Sequence, residues 1–563
     1  MHVKRIIIAR YRGLKSLSWD PARGVNCLIG PGDTGKSTLL SAVSLLLAPY
    51  PVQQASEFDY FERQLAEGFS VEAYLGGMNS ATLVSGGTPP SLCGWLNGGP
   101  CNLPDEDGAE AVLHCRVRGT SELEIVHEII TDESTVAPFP VKLRQKMLLT
   151  RLVGEERSGR DLRLGSGSLL DRFLEPSSIR PAIQKAVALA STTLDMPAAV
   201  KKNLAELGTR FGNEGLPSHL HLGLFPQQGS GATGMVALFT GAKSDRSIPL
   251  AYSGMGTRQL AVISLSTSEL REDPVIVVDE PERGLEPYRQ RLVVRRLVQA
   301  VGSGGQAFVT THSPAVLSSL DDCCIWRMKA GPAPPVQFNK KHLCGILKRD
   351  PEAFFAPCPV FCEGPTELGL LTALLPKYLA SGLTEVGIHL ADGRGQPNVF
   401  DVIGAFYDAG LPCAAFLDNE SEHSGRRAAV SKKCALFVWE RVCNIEEALA
   451  RHLPKERFSE LFLVASRQDI NRARAKEDQV RQSLGITEPG ERTAFPELFA
   501  SRGDEPVRTA LYTVMNDHEW FKSAELGFAL GTALLKWGVP AFINTALATF
   551  ASHLPQLPRH EPN

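Results

Sequence analysis

The sequence predicts an α/β protein of two domains, each built around a parallel sheet, and three observations support this prediction. A glycine-rich turn at residues 30–37 lies between an apolar run and a segment with helical periodicity. Farther along, residues 274–278 and 307–311 form two apolar runs typical of buried strands, and each is followed by acidic or histidine residues that could act in catalysis. In the second half, short apolar runs alternate with helical segments and end in acidic residues, as parallel strands of an α/β domain do.

The composition is typical of a soluble globular protein with more than one domain. The 563 residues exceed what one ordinary core accommodates, and 43% of them are hydrophobic and 21% charged. The formal net charge of −3 means that any nucleic-acid surface must be local. No apolar run has the length of a membrane span and no signal-peptide pattern is present, so we expect a cytoplasmic protein without membrane contact. The 12 cysteines show no metal-type spacing.

The glycine-rich turn has the pattern of a P-loop, a phosphate-binding loop. Its glycines let the backbone turn its N–H groups toward phosphate oxygens, and the start of the next helix adds further N–H groups. Lys36 is suited to neutralise the β- and γ-phosphates, and Ser37 is suited to bind Mg²⁺. The pattern therefore predicts an ATP site formed by Gly30, Gly32, Gly35, Lys36, Ser37 and Thr38.

Four further elements follow in the order that an ATPase of the ATP-binding-cassette (ABC) type requires. In chain order they are Ser253 with Gly254 and Gly256, Asp279 with Glu280, residues 284–287, and His312. The first is the place of the signature loop, which contacts the γ-phosphate held by a second protomer. Asp279 is expected in the Mg²⁺ shell, Glu280 is expected to polarise the attacking water, and His312 is expected to contact the γ-phosphate. Each element alone is common, but their order predicts an ABC-type P-loop ATPase head.

The head is expected to carry two additions. Short alternating runs predict an antiparallel sheet, interrupted by an irregular loop at about residues 77–108. Residues from about 141 to 225 have mainly helical periodicity and predict a helical insertion, which serves either dimerisation or packing on its own head. Gln53 and Gln54 are candidates for a Mg²⁺-sensing glutamine. We expect the ATPase domain to span residues 1–348 and the second domain to span 349–563.

Acidic residues follow the predicted strands of the second domain. Glu363 ends one strand-like run, and Asp418 and Glu420 end another. Because the carboxyl ends of parallel strands meet at one sheet edge, these carboxylates are expected to lie together. Hard oxygen ligands suit Mg²⁺ or Mn²⁺, which can activate water and stabilise the leaving oxygen of a phosphodiester. Residues 518–523 are expected to open a helix whose Lys522 steadies a phosphate, with Lys536 as the competing candidate.

These residues resemble the overcoming-lysogenisation-defect (OLD) family, which joins a cassette-type ATPase head to a Toprim domain, the metal-dependent fold of topoisomerases and primases. In the head the resemblance rests on residues 30–37, 253–256, 279–280 and His312. After the head it rests on Glu363-Gly364, Glu367, Asp418-Asn419-Glu420 and Lys522. It implies an ATP-regulated DNA endonuclease that forms homodimers or larger homo-oligomers and in bacteria often serves anti-phage defence, with room for an accessory defence protein.

The resemblance also implies further metal ligands. Glu367 and Glu447 complete the expected set of Glu363, Asp418 and Glu420. A Toprim domain usually has Asp-x-Asp where this chain has Asp-Asn-Glu, so Glu422 is an alternative to Glu420. Glu446 is likewise an alternative to Glu447.

Three functions are compatible with this sequence. The first is an endonuclease in which ATP binding in the head gates metal-dependent cleavage of DNA. The second is a non-cleaving, ATP-driven DNA-binding clamp or sensor in which the acidic domain is a scaffold. The third is a topoisomerase-like transesterase, which needs a tyrosine nucleophile that no sequence context marks. Two basic segments, 426–433 and 472–481, are candidates for contacts with a DNA backbone.

Overall fold

The chain divides into two compact units, Met1–Gln337 and Phe338–Asn563. The computed structural model describes residues 1–48, 55–78, 83, 90–101, 108–131, 135–147, 149–152, 162–164, 168–174, 196–224, 236–241, 248–268, 274–302, 304–321, 323–338, 340–419, 421–439, 443–486 and 493–554. The division falls earlier than the boundary expected after residue 348. Helix Lys340–Arg349 lies in the second unit, where His342 Nδ1 is 3.8 Å from Asp401 Oδ2.

The first unit is built mainly of strands. In chain order they are β1 (His2–Tyr11), β2 (Leu14–Trp19), β3 (Gly24–Ile29), β4 (Phe69–Gly76), β5 (Cys93–Leu96), β6 (Gly99–Cys101), β7 (Glu110–Gly119), β8 (Ile125–Ile130), β9 (Val136–Pro138), β10 (Leu149–Leu152), β11 (Leu220–Leu224), β12 (Val236–Thr240), β13 (Ile248–Pro249), β14 (Val275–Asp279), β15 (Gln306–Thr310), β16 (Cys324–Arg327) and β17 (Val336–Gln337). Its helices are α1 (Lys36–Leu46), α2 (Val141–Lys146), α3 (Leu169–Leu174), α4 (Ala198–Asn213), α5 (Met255–Ser268), α6 (Pro287–Val301) and α7 (Pro314–Leu317).

Two sheets dominate this unit. One is antiparallel, with the strand order β2-β1-β4-β7-β5-β6, with β8 on β7 and β9 on β8. The other has the order β10-β14-β15-β3-β16-β17 and is parallel except for its last pair. Helix α1 contacts strands of both sheets, and one apolar core contains Leu40, Val71 and Phe308. The sequence prediction of a parallel sheet with an antiparallel addition is confirmed.

The segment 141–225 is only partly helical, which corrects the expected helical insertion. Strand β10 extends the parallel sheet by pairing with β14, and β11 pairs with β12. In such short segments, apolar residues three or four positions apart fit a strand as well as a helix, so periodicity alone could not separate them. Residues 175–195 lie outside the described part of the chain.

The loop expected at about residues 77–108 contains a β-hairpin. Strands β5 and β6 pair around Asn97 and Gly98, whose φ angles are 50° and 79°. Positive φ at both central residues is what a type I′ turn requires, and Asn-Gly is the dipeptide that favours it. The Asn-Gly dipeptide therefore indicates a β-hairpin within a segment whose overall composition indicates a loop.

The second unit contains a parallel sheet followed by helices. Its strands are β18 (Cys358–Cys362), β19 (Ile388–Asp392), β20 (Ala414–Leu417) and β21 (Ala435–Val438), in the order β19-β18-β20-β21. Its helices are α8 (Lys340–Arg349), α9 (Pro365–Leu374), α10 (Gln396–Asp408), α11 (Ser424–Val430), α12 (Ile445–His452), α13 (Phe458–Ala465), α14 (Ile470–Ser483), α15 (Glu497–Arg502), α16 (Asp504–Asp517), α17 (Ala524–Trp537) and α18 (Ala541–His553). The predicted parallel α/β domain is confirmed. Among the described helices, none alone has the length and apolar character of a bilayer span; α17 and α18 reach them only as a pair bent by 111°.

Helices α9 and α17 pack closely through glycines. A Cβ atom at Gly369 would lie 2.0 Å from Ala524 O, and one at Gly527 would lie 2.2 Å from Thr366 O. These distances are far shorter than any real contact of a Cβ atom, so both helices approach backbone to backbone. This packing fixes the turn before α17 against the start of α9.

Replacing Gly527 by alanine is therefore expected to destabilise the second unit. The added methyl group meets a backbone oxygen that cannot rotate away, and overpacking of this kind costs about 1–3 kcal/mol. Gly404, inside α10, is the matched control, because a Cβ atom there meets nothing within 4 Å. Urea unfolding should show a lower midpoint for Gly527→Ala and an equal or higher midpoint for Gly404→Ala. Equal midpoints for both variants would contradict the close packing.

Candidate functional site

The P-loop connects β3 to α1 at the carboxyl edge of the parallel sheet. Gly30 and Gly35 have φ angles of 147° and 89°, and a Cβ atom at Gly30 would lie 2.5 Å from Met328 O. Other residues rarely adopt such angles, so these two positions need glycine. Gly35 is the N-cap of α1, and no side chain caps the first N–H groups of that helix. The loop can therefore offer backbone N–H groups to a phosphate.

Lys36 lies buried beneath the loop. Its Nζ donates hydrogen bonds to Gly30 O at 2.9 Å and to Pro31 O at 2.6 Å. Burial lowers the pKa of Lys36, while the charges of Glu280, Asp279 and Asp33 raise it. The ammonium group thus lies inside a loop that is suited to phosphate, and it is influenced by the two acids at the end of β14.

Asp279 ends strand β14 and joins three elements. Ser37 Oγ donates to Asp279 Oδ1 at 3.1 Å, and Thr310 Oγ1 donates to the same oxygen. Asp279 pairs with Thr310 in the sheet, and Thr310 pairs with Leu28 of the strand before the P-loop. The serine and aspartate that the sequence predicts as Mg²⁺ ligands are therefore in direct contact.

Glu280 follows Asp279 with a φ angle of 51°, which is uncommon for a residue other than glycine. Its N–H group donates to Thr310 Oγ1 at 3.1 Å. One carboxylate oxygen accepts a hydrogen bond from Arg283 Nε at 2.5 Å, and the other lies 4.0 Å from His312 Nε2. The structure thus brings Glu280 and His312 to the same side of the sheet edge as the P-loop lysine.

Glu282 is a member of this site that the sequence analysis did not single out. It accepts a hydrogen bond from His312 N at 2.7 Å, and burial raises its pKa. The carboxylate therefore fixes the backbone of the histidine. No motif marks this residue, because its role depends on the contact between two loops.

The signature-loop residues Ser253, Gly254 and Gly256 lie at the start of α5, as predicted. A Cβ atom at Gly256 would lie 2.2 Å from Gly284 O, so the loop packs directly on residues of the expected D-loop. Within the described part of the chain, no hydrogen bond joins these three residues to the P-loop. Tyr252 and Met255 beside them are exposed. Gln53 and Gln54 lie outside the described residues.

In the second unit, Glu363 lies at the centre of an acidic edge. It follows β18, the strand between β19 and β20. Its Oε2 accepts hydrogen bonds from Asp418 N at 2.9 Å and from Gln396 Nε2 at 3.0 Å. Gln396 also donates to Asp418 O at 2.9 Å. Two strand ends are thus connected by one carboxylate and one amide.

Asp418 is only 8% exposed. Trp439 Nε1, at the end of β21, donates to Asp418 Oδ1 at 3.0 Å. Burial raises the pKa of Asp418 well above its usual range, and the negative charges of Glu367, Glu363 and Glu446 act in the same direction. The carboxylate is therefore held in place by an indole and surrounded by other acids.

Glu367 and Glu446 complete this acidic cluster. They lie in the first turns of α9 and α12 and are 6% and 5% exposed. Burial and the charges of Glu363 and Glu446 raise the pKa of Glu367 to about 7, against the charge of Lys522. Burial also raises the pKa of Glu446, and Lys522 again opposes it. We call Glu363, Glu367, Asp418 and Glu446 the acidic cluster.

The alternatives among the acids are separated by their contacts. Glu447, the expected ligand, pairs with Arg451 NH2 at 2.7 Å, and its N–H group donates to Asn444 Oδ1. The structure brings Glu446 into the cluster in its place. Glu422 is exposed in a short 3₁₀ turn, and Glu420 lies outside the described residues.

The two candidate lysines lie at opposite ends of α17. Lys522 precedes this helix in the turn after α16, which corrects its expected place inside a helix. Thr366 Oγ1 donates to Phe521 O at 2.7 Å, which ties this turn to α9. Lys522 acts on Glu367 and Glu446, whereas Lys536 in the last turn acts on Glu460. These electrostatic effects favour Lys522 as the cation beside the acidic cluster.

Two family models match the chain. The model described as "AAA domain, putative AbiEii toxin, Type IV TA system" matches residues 130–318. The model "Overcoming lysogenization defect protein-like, TOPRIM domain" matches residues 354–419, which include Glu363, Glu367 and Asp418. The chain carries an OLD-like Toprim domain. With the ATPase match, this confirms the resemblance to the OLD family and the fold class of an ABC-type ATPase head followed by a Toprim domain. The P-loop itself lies before the matched part of the head.

Further comparisons gave distant similarities. A search of curated proteins found no significant match. Among solved structures, the Smc head bound to the C-winged helix domain of ScpA has a TM-score of 0.41 at 13% identity, covering 62% of this chain and 100% of that one. The SMC head domain from Thermotoga maritima has a TM-score of 0.30 at 13% identity, with coverages of 60% and 99%. The recombination mediator protein RecF-ATPrS has a TM-score of 0.33 at 11% identity, with coverages of 60% and 98%.

An ATPase domain joined to a Toprim domain implies a hydrolase of nuclease type that uses a nucleotide and a divalent metal. Among the described residues of this chain, no three His, Cys, Asp or Glu side chains converge closely enough to hold an ion as they stand. The acidic cluster nevertheless has the donor chemistry of a cation site, because the charge of Glu363 raises the pKa of each of the three buried acids beside it, Glu367, Asp418 and Glu446. A bound cation would relieve this repulsion, and hard oxygen donors suit Mg²⁺ or Mn²⁺.

Sequence reasoning missed the residues that hold the Toprim carboxylates in place. Gln396 follows Gly395 at the start of α10, and Trp439 follows the last strand of the sheet. Both are placed by the parallel order of the strands, which brings distant strand ends together. The only sequence signals were their positions: Gln396 directly follows a glycine turn, and Trp439 directly follows a strand.

The raised pKa of Glu367 predicts a pH-dependent stability. The folded state binds this proton more tightly than the unfolded state, whose pKa is near 4.5, so folding loses stability as the pH rises from about 4.5 through about 7. Glu367→Gln removes this loss. Without divalent metal, the variant is expected to be more stable than the parent near pH 8, by about 1.4 kcal/mol for each unit of pKa shift, and equally stable near pH 4.

Thermal unfolding at both pH values, with chelator present, checks this expectation. Glu422→Gln is the control, because Glu422 is exposed and its substitution should leave the difference between the two pH values unchanged. If the Glu367→Gln variant is no more stable than the parent at about pH 8, ionised Glu367 does not destabilise the fold and the expectation is wrong.

Proposed function

We propose that this protein is an ATP-regulated, divalent-metal-dependent DNA endonuclease. The observation that carries this proposal is the acidic cluster at the carboxyl edge of the Toprim sheet, with Lys522 beside it. Three buried carboxylates and the half-buried carboxylate of Glu363 repel one another when no cation is bound, so their presence at one edge is explained best by a ligand with positive charge. Phosphodiester cleavage is the chemistry that such an acidic edge supports.

Mg²⁺ or Mn²⁺ would be held by Glu363, Glu367, Asp418 and Glu446, with Glu420 as a further ligand outside the described residues. When bound, such ions activate water and stabilise the leaving oxygen of the cleaved bond. The chain's own residues position the ligands. Gln396 and the backbone N–H group of Asp418 hold the carboxylate of Glu363, and Trp439 holds the carboxylate of Asp418.

Lys522 supplies positive charge next to these carboxylates. Because the lysine is exposed and acts on Glu367 and Glu446, it can attract the phosphate of a DNA strand to the cluster. A fixed positive charge also stabilises the negative charge that develops on the phosphate during cleavage. We assign Lys522 this role in place of Lys536.

The head binds ATP and Mg²⁺ in this proposal. Lys36 and the P-loop N–H groups contact the phosphates, and Ser37 with Asp279 holds the ion. Glu280 polarises the attacking water, and His312 contacts the γ-phosphate. Ser253, Gly254 and Gly256 serve the nucleotide of a second copy of this chain, so ATP binding and homodimer formation are coupled. A cytoplasmic location, a role in anti-phage defence and an accessory protein belong to the same proposal.

A supercoiled-plasmid assay tests the proposal. The purified full chain is incubated with Mg²⁺ or Mn²⁺, with and without ATP, and with a chelator as the control. Nicked or linear DNA that depends on the metal is the expected result. ATP hydrolysis without cleavage under any of these conditions would contradict the nuclease and favour the DNA-binding clamp. Protein covalently attached to the cut DNA would instead favour a transesterase.

A further inference from the structure

Helix α14 has an uneven charge distribution. Its first half contains Arg472, Arg474 and Lys476 and no acidic residue. Its second half contains Glu477 and Asp478 and only one cation. The positive end of the helix dipole lies at the basic half. We call Arg472, Arg474 and Lys476 the basic ridge; Arg472 and Lys476 share one face of the helix, and Arg474 lies on the other side of the buried Ala473.

Contacts place the basic ridge beside the turn that carries Lys522. Lys476 Nζ lies 4.5 Å from the ring centre of Trp520, two residues before Lys522. Arg467, just before α14, pairs through NH2 with Glu525 Oε2 at 3.0 Å, three residues after Lys522. The turn therefore has residues of the α14 segment on both sides. Lys476 therefore lies beside the turn of Lys522, and Arg472, four residues earlier, lies on the same face of α14.

In the other basic segment of the second unit, both arginines are engaged by the protein itself. Arg426 pairs with Asp401 at 2.6 Å, and Arg427 is 7% exposed with its NH1 near Gln396 Oε1. In α14, Arg481 is buried against Glu477 in the same way.

Two arginines of the ridge, in contrast, are available to a ligand. The side chain of Arg472 is 73% exposed, and its only ion pair among the described residues is with Asp469 at 3.6 Å. Arg474 is exposed and forms no ion pair with any described residue. Exposed cations with no acid partner, or with only one exposed partner as for Arg472, contact phosphates readily, because an exposed ion pair is worth little and is easily replaced.

We propose that the basic ridge binds the phosphodiester backbone of the DNA strand next to the bond that is cut. This inference rests on the proposed function, since it names the surface that presents the substrate to the acidic cluster. Phosphates bound along α14 bring the strand past Lys522 to the metal ligands. Because the contacts are to phosphates, binding is independent of base sequence and weakens as the salt concentration rises.

The double variant Arg472→Ala/Arg474→Ala tests the ridge. Binding to a short fluorescent DNA duplex is measured with Ca²⁺ in place of Mg²⁺, from about 50 to 200 mM NaCl. Loss of two phosphate contacts is expected to lower affinity by about tenfold or more and to reduce the slope of log affinity against log salt by about 2. Plasmid nicking should show a raised KM with kcat retained, and ATP hydrolysis should be unchanged.

The control Lys432→Ala/Lys433→Ala removes the same charge from exposed residues elsewhere in this unit, and it should keep the parental slope. Arg472→Lys/Arg474→Lys keeps the charge and should restore binding. A parental slope in the double alanine variant, an equal loss in the control, or no rescue by lysine would overturn the inference.

The outcomes separate the ridge from the nuclease proposal. If the parent nicks DNA and the double alanine variant binds like the parent, the ridge inference fails and the nuclease proposal stands. If the parent neither binds nor nicks DNA, both fail. The melting temperature of each variant is measured as well, and these exposed arginines should leave it unchanged.

Discussion

Replacing Glu363 by glutamine, or Asp418 by asparagine, is expected to abolish DNA nicking and to leave ATP hydrolysis unchanged. Each substitution removes the negative charge of a proposed metal ligand while the shape of the side chain is kept. Removing a residue that hydrogen-bonds to a metal ligand typically lowers activity or metal affinity by about 10- to 100-fold. Removing the charge of the ligand itself should therefore lower nicking activity by more than about 100-fold. The plasmid assay and phosphate release from ATP are the two measurements.

The structure indicates that both variants still fold. An amide oxygen at position 363 can accept the hydrogen bonds that Asp418 N and Gln396 Nε2 now donate at 2.9 and 3.0 Å. Each change also removes one negative charge from the crowded acidic cluster, which should not lower stability. Nicking lost with unchanged unfolding therefore identifies a chemical role, and full nicking in both variants would refute the metal site.

Glu446→Gln and Glu447→Gln form a matched pair for the same assay. The residues are neighbours on α12, but only Glu446 is buried among the cluster, whereas Glu447 pairs with Arg451. Glu446→Gln should lose nicking and Glu447→Gln should retain it. The opposite result would restore the ligand that the sequence analysis favoured.

Neighbouring residues of this kind show where prediction from sequence ends. The acids at strand ends could be predicted because the pattern that marks them is continuous in the sequence. At Glu363, an apolar run is followed by the carboxylate and then by a glycine turn. The choice between Glu446 and Glu447 depends on which face of α12 is turned inward. Both residues lie in the first turn of a helix of only eight residues, so periodicity could not decide between them.

The fold of the head could also be predicted because its motifs are continuous in the sequence. The P-loop and the strand ending in Asp279 are continuous segments whose residue types determine their conformation. Strand β10 was not predictable, because four residues carry no reliable period and its pairing with β14 is a long-range contact. Glu282 and Gln396 also depend on such contacts, and their roles appear only once the loops and strand ends meet.

Glu280→Gln is expected to retain ATP binding and to lose hydrolysis, whereas Lys36→Ala should lose both. Glu280 is held at the strand end by its unusual backbone angle and by Thr310, with its carboxylate 4.0 Å from His312 Nε2. An amide in its place cannot polarise water in the same way, and a positioned base is worth about 10²- to 10⁴-fold in rate. Lys36 is the buried cation of the P-loop, so its removal leaves the phosphates without their central positive charge.

Binding of a fluorescent ATP analogue and phosphate release separate these two effects. Glu122→Gln is the control, because Glu122 is exposed in the turn between β7 and β8, outside every element of the ATP site. Hydrolysis at the parental rate by Glu280→Gln would refute its role.

Plasmid nicking by the same variants then shows whether bound ATP activates or restrains cleavage. If bound ATP activates cleavage, Glu280→Gln nicks at least as well as the parent and Lys36→Ala does not. If bound ATP restrains cleavage, the order is reversed, and hydrolysis is the step that releases the nuclease.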